Sequence, residues 1–166
     1  MKYRFLILLF LLAALQAVAV PSPADCEDTS RIALTRKARH GDSRAQYALA
    51  ERYANGRGMR QSYRKAVKWY RKAAEQGYAP AQCRLGFSYM QGYGVSPSDP
   101  LAIMWYRRAA EQGNAEAMYL IGECYECGYG VPDDMQEAAR WYIKSAALGY
   151  SLAIDKVERY RLASPK

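Results

Sequence analysis

Residues 81–113 read Ala81-Gln-Cys-Arg-Leu85-Gly86-Phe-Ser-Tyr89-Met-Gln-Gly92-Tyr-Gly94-Val95, and then, after nine intervening residues, Trp105-Tyr106-Arg-Arg-Ala109-Ala110-Glu-Gln-Gly113. The same frame returns 36 residues earlier and 36 residues later. Trp69, Trp105 and Trp141 keep the step, each followed by a tyrosine (Tyr70, Tyr106, Tyr142). Ala45, Ala81, Ala117 and Ala153 keep it too, as do Leu49, Leu85 and Ile121, and Tyr53, Tyr89 and Tyr125. Gly41, Gly77, Gly113 and Gly149 mark the joints. A fixed period over this many positions is the mark of a stacked-repeat architecture.

Each unit reads as helix, glycine loop, helix. Ala45, Leu49 and Tyr53 fall four apart, one apolar stripe of a helix. A Gly-x-Gly pair then stops it (Gly56/Gly58, Gly92/Gly94, Gly128/Gly130), because glycine tolerates the left-handed backbone of a helix C-cap. The second helix is expected to open near Ser62, Asp99 or Asp133 as N-caps, with Pro100 in a first turn. Its stripe runs through Ala66, Trp69/Tyr70 and Ala73/Ala74. Such a helix pair cannot bury its apolar face alone, so stacked neighbours must supply the core. The repeats are placed at about 42–77, 78–113 and 114–149 within a solenoid spanning 28–163, with half-repeats capping both ends, about eight helices in all.

The period, the Leu-Gly-x-x-Tyr-x-x-Gly-x-Gly-Val pattern and the Trp-Tyr-x-x-Ala-Ala-x-x-Gly pattern resemble the Sel1-like repeat family. The second copy carries the whole set; the first has Ala50 for a glycine and Met59 for the valine, and the third has Ser145 for an alanine. The resemblance implies an all-α fold, a right-handed α/α superhelix related to tetratricopeptide arrays, and a usual role as adaptor in signalling or envelope processes. Some cysteine-rich members are described as penicillin-binding or weak β-lactamases, with a cysteine pair in each repeat. Here alanines stand at those places (Ala74 with Ala81, Ala110 with Ala117), so the match to that branch is poor.

At the front, Lys2 and Arg4 precede an apolar run from Phe5 to Leu15, and Ala17-Val18-Ala19 gives the small-x-small pattern of a signal-peptidase site. The run is shorter than the ~20 residues of a spanning helix. Residues 1–19 therefore read as a cleaved signal peptide, 20–27 as a short tail, and the mature protein as periplasmic or secreted. Asp25 before Cys26 argues against lipidation. The chain carries 24 Lys and Arg against 16 Asp and Glu, a formal +8, or +6 without Lys2 and Arg4. That balance favours an acidic partner such as an envelope surface. No nucleic-acid motif and no membrane span is evident.

Four cysteines (Cys26, Cys83, Cys124, Cys127) in an exported chain allow two disulfides, in three pairings, or free thiols. Cys124-x-x-Cys127 invites a redox reading, but it precedes Gly128 at the end of a helix, beside Glu123 and Glu126, where a thiol is not activated. One histidine, His40, and a single Cys-x-x-Cys make no zinc site; neither metal nor cofactor is expected. Ser62-Tyr-Arg-Lys65 has the spacing of a serine acyl enzyme without its companion motifs, and Ser62 is explained as an N-cap. The Gly-x-Gly loops lack the preceding strand of a phosphate cradle. No catalytic residue is assigned. The basic column Lys72, Arg108 and Lys144, with Arg71 and Arg107, reads as a solvated outer face.

Repeat solenoids bind on the concave face. First-helix residues on the side away from Ala45, Leu49 and Tyr53 would line it: Tyr47, Glu51, Arg84, Phe87, Met90, Tyr119, Glu123 and Glu126. Exposed aromatics with mixed charge suit a protein or peptide segment. The expected function is a non-enzymatic adaptor in cell-envelope regulation or assembly; the alternatives are a β-lactam-binding or hydrolysing envelope enzyme, resting on the resemblance and Ser62/Lys65, and a plain spacer.

Overall fold

Glycine decides where each first helix ends. Gly56, Gly92 and Gly128 all adopt φ near +70°, and their N–H groups close back on the carbonyls of Arg52, Ser88 and Cys124. The first helix of every repeat is thereby cut at the same length, 13 residues. The computed structural model describes residues 23–163, with side chains from 29 to 160. The signal-peptide reading and the start of the expected tail lie outside the described residues, as does the side chain of Cys26.

Among the described residues the chain is entirely helical: α1 (Pro23–Arg39), α2 (Ser43–Asn55), α3 (Tyr63–Glu75), α4 (Ala79–Gln91), α5 (Asp99–Glu111), α6 (Ala115–Cys127), α7 (Met135–Ala147) and α8 (Ser151–Ala163). The chain divides into two units, 1–33 and 34–166. Of the first, residues 23–33 are described and are helical, so helix begins where the sequence suggests a tail. The second unit is the solenoid, in which the main contacts join successive helices.

Two N-caps lie one residue from their expected places. Ser62 caps α3 and accepts from Lys65 N–H, as the sequence predicts. Ser98, not Asp99, precedes α5, and Asp134, not Asp133, caps α7, its carboxylate accepting from Gln136 and Glu137 N–H. The reason is a backbone constraint shared by all repeats. The cap residue donates its N–H to the carbonyl of the recurring first-helix tyrosine: Ser62 to Tyr53, Ser98 to Tyr89, Asp134 to Tyr125, at 2.8–2.9 Å. This bond, rather than the nearest carboxylate, sets where the second helix starts.

In the second and third helix pairs the Tyr of the second helix packs closely against a glycine of the first. A Cβ built on Gly86 would come within 2.7 Å of the Tyr106 ring, and one on Gly122 within 2.6 Å of the Tyr142 ring. Ala50 stands at the same repeat position opposite Tyr70. Tyr106 and Tyr142 are fully buried. Successive repeats approach as closely at the loops. A Cβ on Gly94 would sit 2.4 Å from the Tyr63 carbonyl carbon, on the helix start of the preceding repeat.

A glycine inside a helix normally costs roughly 0.5–1 kcal/mol relative to alanine. Here the order reverses, because the added methyl has no room. Gly86→Ala and Gly122→Ala are each expected to destabilise the fold by about 1–3 kcal/mol, as overpacking does. Urea unfolding followed by circular dichroism measures it, and a loss below the error of the fit at both positions would contradict the close contact.

Candidate functional site

The first helices carry the expected binding residues: Tyr47 and Glu51 on α2, Arg84, Phe87 and Met90 on α4, Tyr119, Glu123 and Glu126 on α6. Arg84 ties three helices together. Its Nε lies 3.6 Å from Glu51 Oε1, and its Nη1 lies 3.2 Å from Glu116 Oε1. Burial works against the Arg84 charge, but Glu116, then Tyr47 and Glu51, more than offset it and raise its pKa. Glu51 also accepts a 2.5 Å bond from the Tyr70 hydroxyl, and the Tyr47 ring packs against Tyr70 and Tyr78. Glu116, which stands where the other repeats have Arg44 and Pro80, escapes the sequence reading because it meets Arg84 only across the contact between neighbouring repeats.

Beside this network, where α2, α3 and α4 meet, a cleft of about 270 Å³ opens. Glu51, Arg84 and Phe87 line it, joined by Tyr63 and Tyr93. The last two stack with ring centroids 4.8 Å apart, and Phe87 meets Tyr93 edge-on at 6.0 Å. Both tyrosines remain about two-fifths exposed (40% and 42%), so the cleft has an aromatic rim open to solvent. The sequence places the binding face on the first helices and so passes over Tyr63, which opens α3, and Tyr93, in the loop after α4. The one signal available is that Tyr93 sits between the two glycines of a loop, where an aromatic has no part in the helical stripes.

The other expected residues lie elsewhere, and one is corrected. Tyr119 is a core residue, 8% exposed, packed between Tyr142 and Tyr150. Its hydroxyl donates to Glu123 at 2.8 Å. Glu126 accepts from the Tyr142 hydroxyl and pairs with Lys156 at 2.5 Å. Burial raises the Glu126 pKa, but bonds from Lys156, Tyr142 and Tyr160 outweigh it and hold the carboxyl below its ordinary value. Met90 is partly buried against the cluster of Cys83, Tyr106 and Ile121. The eight residues therefore do not form one exposed strip: Glu51, Arg84 and Phe87 meet at the cleft, while Tyr119 and Glu126 tie α6 to α7 and to the segment beyond it, and Glu123 accepts from Tyr119 on α6 itself.

The middle repeat breaks the pattern. Phe87 and Met90 occupy the repeat positions of Glu123 and Glu126, and Phe87 that of Glu51 as well. The Tyr106 hydroxyl, buried like its equivalents, accordingly has no hydrogen-bond partner.

The basic column has a structural occupation. Lys72, Arg108 and Lys144 each lie over the tryptophan one turn earlier, 4.4–4.7 Å from the ring centroids of Trp69, Trp105 and Trp141. Arg71 and Arg107 donate to the hydroxyls of Tyr89 and Tyr125 at 2.9 Å. A glutamine ladder joins the repeats: Gln76 to Gln46 and Gln112 to Gln82 at 2.6–2.7 Å, with Gln46 and Gln82 each donating on to a carbonyl of the preceding helix. Met118 and Leu148 replace both members in the third repeat, so the pair changes together.

Cys83, Cys124 and Cys127 are free thiols, the first two buried and the third exposed. Burial, with Glu116 beside Cys83 and Glu123 beside Cys124, pushes both buried thiols up to about 12. Disulfide exchange needs the opposite shift. Ser62 is engaged as the α3 cap, and Lys65 Nζ lies 5.4 Å from the centre of the Tyr53 ring. Among the described residues no three His, Cys, Asp or Glu side chains gather as a metal site, and no helix is long and apolar enough to cross a membrane.

The architecture defines a helix-pair repeat protein with an open aromatic cleft. The chain matches the Sel1 repeat over residues 43–78, 79–114 and 115–150, and it belongs to the Sel1 repeat family, whose members generally serve as protein-interaction scaffolds. Among solved structures it is similar to a Sel1 repeat protein from Oxalobacter formigenes, at 41% identity and a TM-score of 0.68 over 77% of this chain and 96% of that one. It is similar also to c5321, a protective antigen of uropathogenic Escherichia coli with an SLR fold, at 39% identity and a TM-score of 0.72 over 75% of this chain. The match spans 27% of that antigen's chain. Cysteine-rich protein B of Helicobacter pylori shares the fold, at 16% identity and a TM-score of 0.62 over 81% of this chain and 96% of that one. No curated protein matches the chain.

The buried thiols yield a direct expectation. In the native protein at pH 8, maleimide should label Cys127 within minutes and leave Cys83 and Cys124 unmodified until denaturant is added. Peptide mapping by mass spectrometry reads the result.

Proposed function

We propose that this chain is an exported, non-enzymatic scaffold that holds a segment of another protein on the concave face of its solenoid, in cell-envelope regulation or assembly. The observation that carries the reading is the cleft between α2, α3 and α4, with the Tyr63–Tyr93 stack and Phe87 at its rim and the Glu51–Arg84 pair within. Aromatic rings give large contact area at small entropic cost, and a fixed acid–base pair beside them can read backbone or side-chain polarity. Two further features support a static holding role. The acids and the cation around Arg84 are paired with each other, and α2, α3 and α4, which carry most of the cleft residues, pack successively on one another. Export rests on the residues before position 20, with their positive start, apolar run and Ala17-Val18-Ala19.

The test is a pull-down from envelope extract with the mature protein, followed by reconstitution of the captured partner with purified components. Replacing Phe87 and Tyr93 by alanine should weaken that complex by about tenfold or more, as loss of aromatic anchors does. Hydrogen exchange should show protection of α2 to α4 on binding. A reconstituted complex indifferent to both substitutions contradicts the assignment of the cleft.

A further inference from the structure

The positive charge of this protein is not spread along the solenoid. Residues 34–72 hold twelve Lys and Arg against Asp42 and Glu51, whereas residues 73–163 hold eight against eleven acids. The excess peaks on α3, where Arg64, Lys65, Lys68, Arg71 and Lys72 face only Glu75. The matching helices differ: Arg64 and Lys68 become Pro100 and Met104 on α5, and Gln136 and Arg140 on α7. Lys72 recurs as Arg108 and Lys144 and Lys68 as Arg140, but the full run of Arg64, Lys68 and Lys72 stands on the first repeat alone.

The row borders a groove of about 380 Å³ lined by Arg64, Lys68, Arg71 and Lys72, with Glu75 as its one acid and Val67 and Val95 as apolar walls; Val67 also lines the aromatic cleft. The loop carrying Gly94 closes one side, and its fit against α3 is so tight that a Cβ there would meet Arg64 N at 2.6 Å. Two of the four cations are held in place, Arg71 by the Tyr89 hydroxyl and Lys72 by the Trp69 face. The other two, Arg64 and Lys68, have no ion pair among the described residues. Fixed cations lower the ordering cost of a bound anion, and unpaired ones lose no partner when it arrives.

We infer that this groove is a second binding surface, and that its ligand is an extended acidic peptide segment with carboxylates at alternate residues. The spacing favours a peptide. Arg64, Lys68 and Lys72 follow each other at four-residue steps, a rise of roughly 6 Å per step. Same-side side chains of an extended chain are spaced by roughly 6.6 Å, so consecutive carboxylates meet consecutive cations. The apolar walls would take the intervening stem atoms, which neither an ion atmosphere nor a lipid headgroup plane requires.

The probe is a fluorescent twelve-residue peptide of alternating Glu and Ser, titrated with the full chain and followed by anisotropy at low and at physiological salt. Saturable binding that weakens with salt is expected. Arg64→Glu combined with Lys68→Glu should weaken it by about tenfold or more, as reversal of paired charges does. Arg140→Glu combined with Lys144→Glu makes the same charge change on α7 and should alter it by less than about twofold. Both positions of the first pair are exposed; circular dichroism checks the fold, and Lys68→Gln gives a milder loss in the same direction. Equal loss in the two double variants, absence of binding at low salt, or tighter binding of anionic phospholipid vesicles or of a single-stranded oligonucleotide would overturn the inference.

Discussion

The contact on which this molecule depends is a tyrosine ring laid on a helix surface with no side chain to keep it away. At Gly86 and Gly122 the ring of the second helix occupies the volume where a Cβ would stand. That approach brings the helix axes close enough for the small residues around them (Ala81, Ala102, Ala109 and their repeats) to be buried. Closely packed small residues leave little tolerance for extra volume. The same contact aims each tyrosine hydroxyl toward the first-helix face, where the aromatic cleft also opens.

What that hydroxyl finds differs from repeat to repeat, and the differences shape the surface. In the first repeat it donates to Glu51, which also pairs with Arg84. In the third it donates to Glu126, which Lys156 of α8 also holds. In the middle repeat the corresponding acids are replaced by Phe87 and Met90, and the hydroxyl is left alone. A buried hydroxyl without a partner costs free energy. The substitution that creates this cost also supplies the aromatic edge that Phe87 turns toward Tyr93 at the cleft.

The fold is legible in the sequence because its determinants repeat. Trp69, Tyr70, Gly77 and their equivalents name the helices, the loops and the packing contacts, and period alone identifies them. The candidate site is legible only in part. Glu51, Arg84 and Phe87 emerge from the helical wheel, which resolves the direction of a side chain along one helix. Tyr63, Tyr93 and Glu116 do not: Tyr63 opens a second helix and Tyr93 lies in a loop, both outside the first-helix wheel, and Glu116 meets Arg84 only through the contact between neighbouring repeats. Tyr119 falls on the surface by the same wheel. A ring that leans back over the preceding turn can be swallowed by its neighbours, in this case Tyr142 and Tyr150. The outer groove is hidden for another reason: the basic column shows itself across the repeats, whereas the charge that lines the groove runs along a single helix.

The tyrosine column can be tested with one substitution made at three equivalent places. Tyr70→Phe and Tyr142→Phe each remove a bond to a carboxylate and should cost about 1–2 kcal/mol in urea unfolding, while Tyr106→Phe removes a hydroxyl that bonds to nothing and should leave stability unchanged or raise it. A loss at Tyr106 equal to the other two would mean that its hydroxyl has a partner in solution, and would contradict the unpaired state of the middle tyrosine.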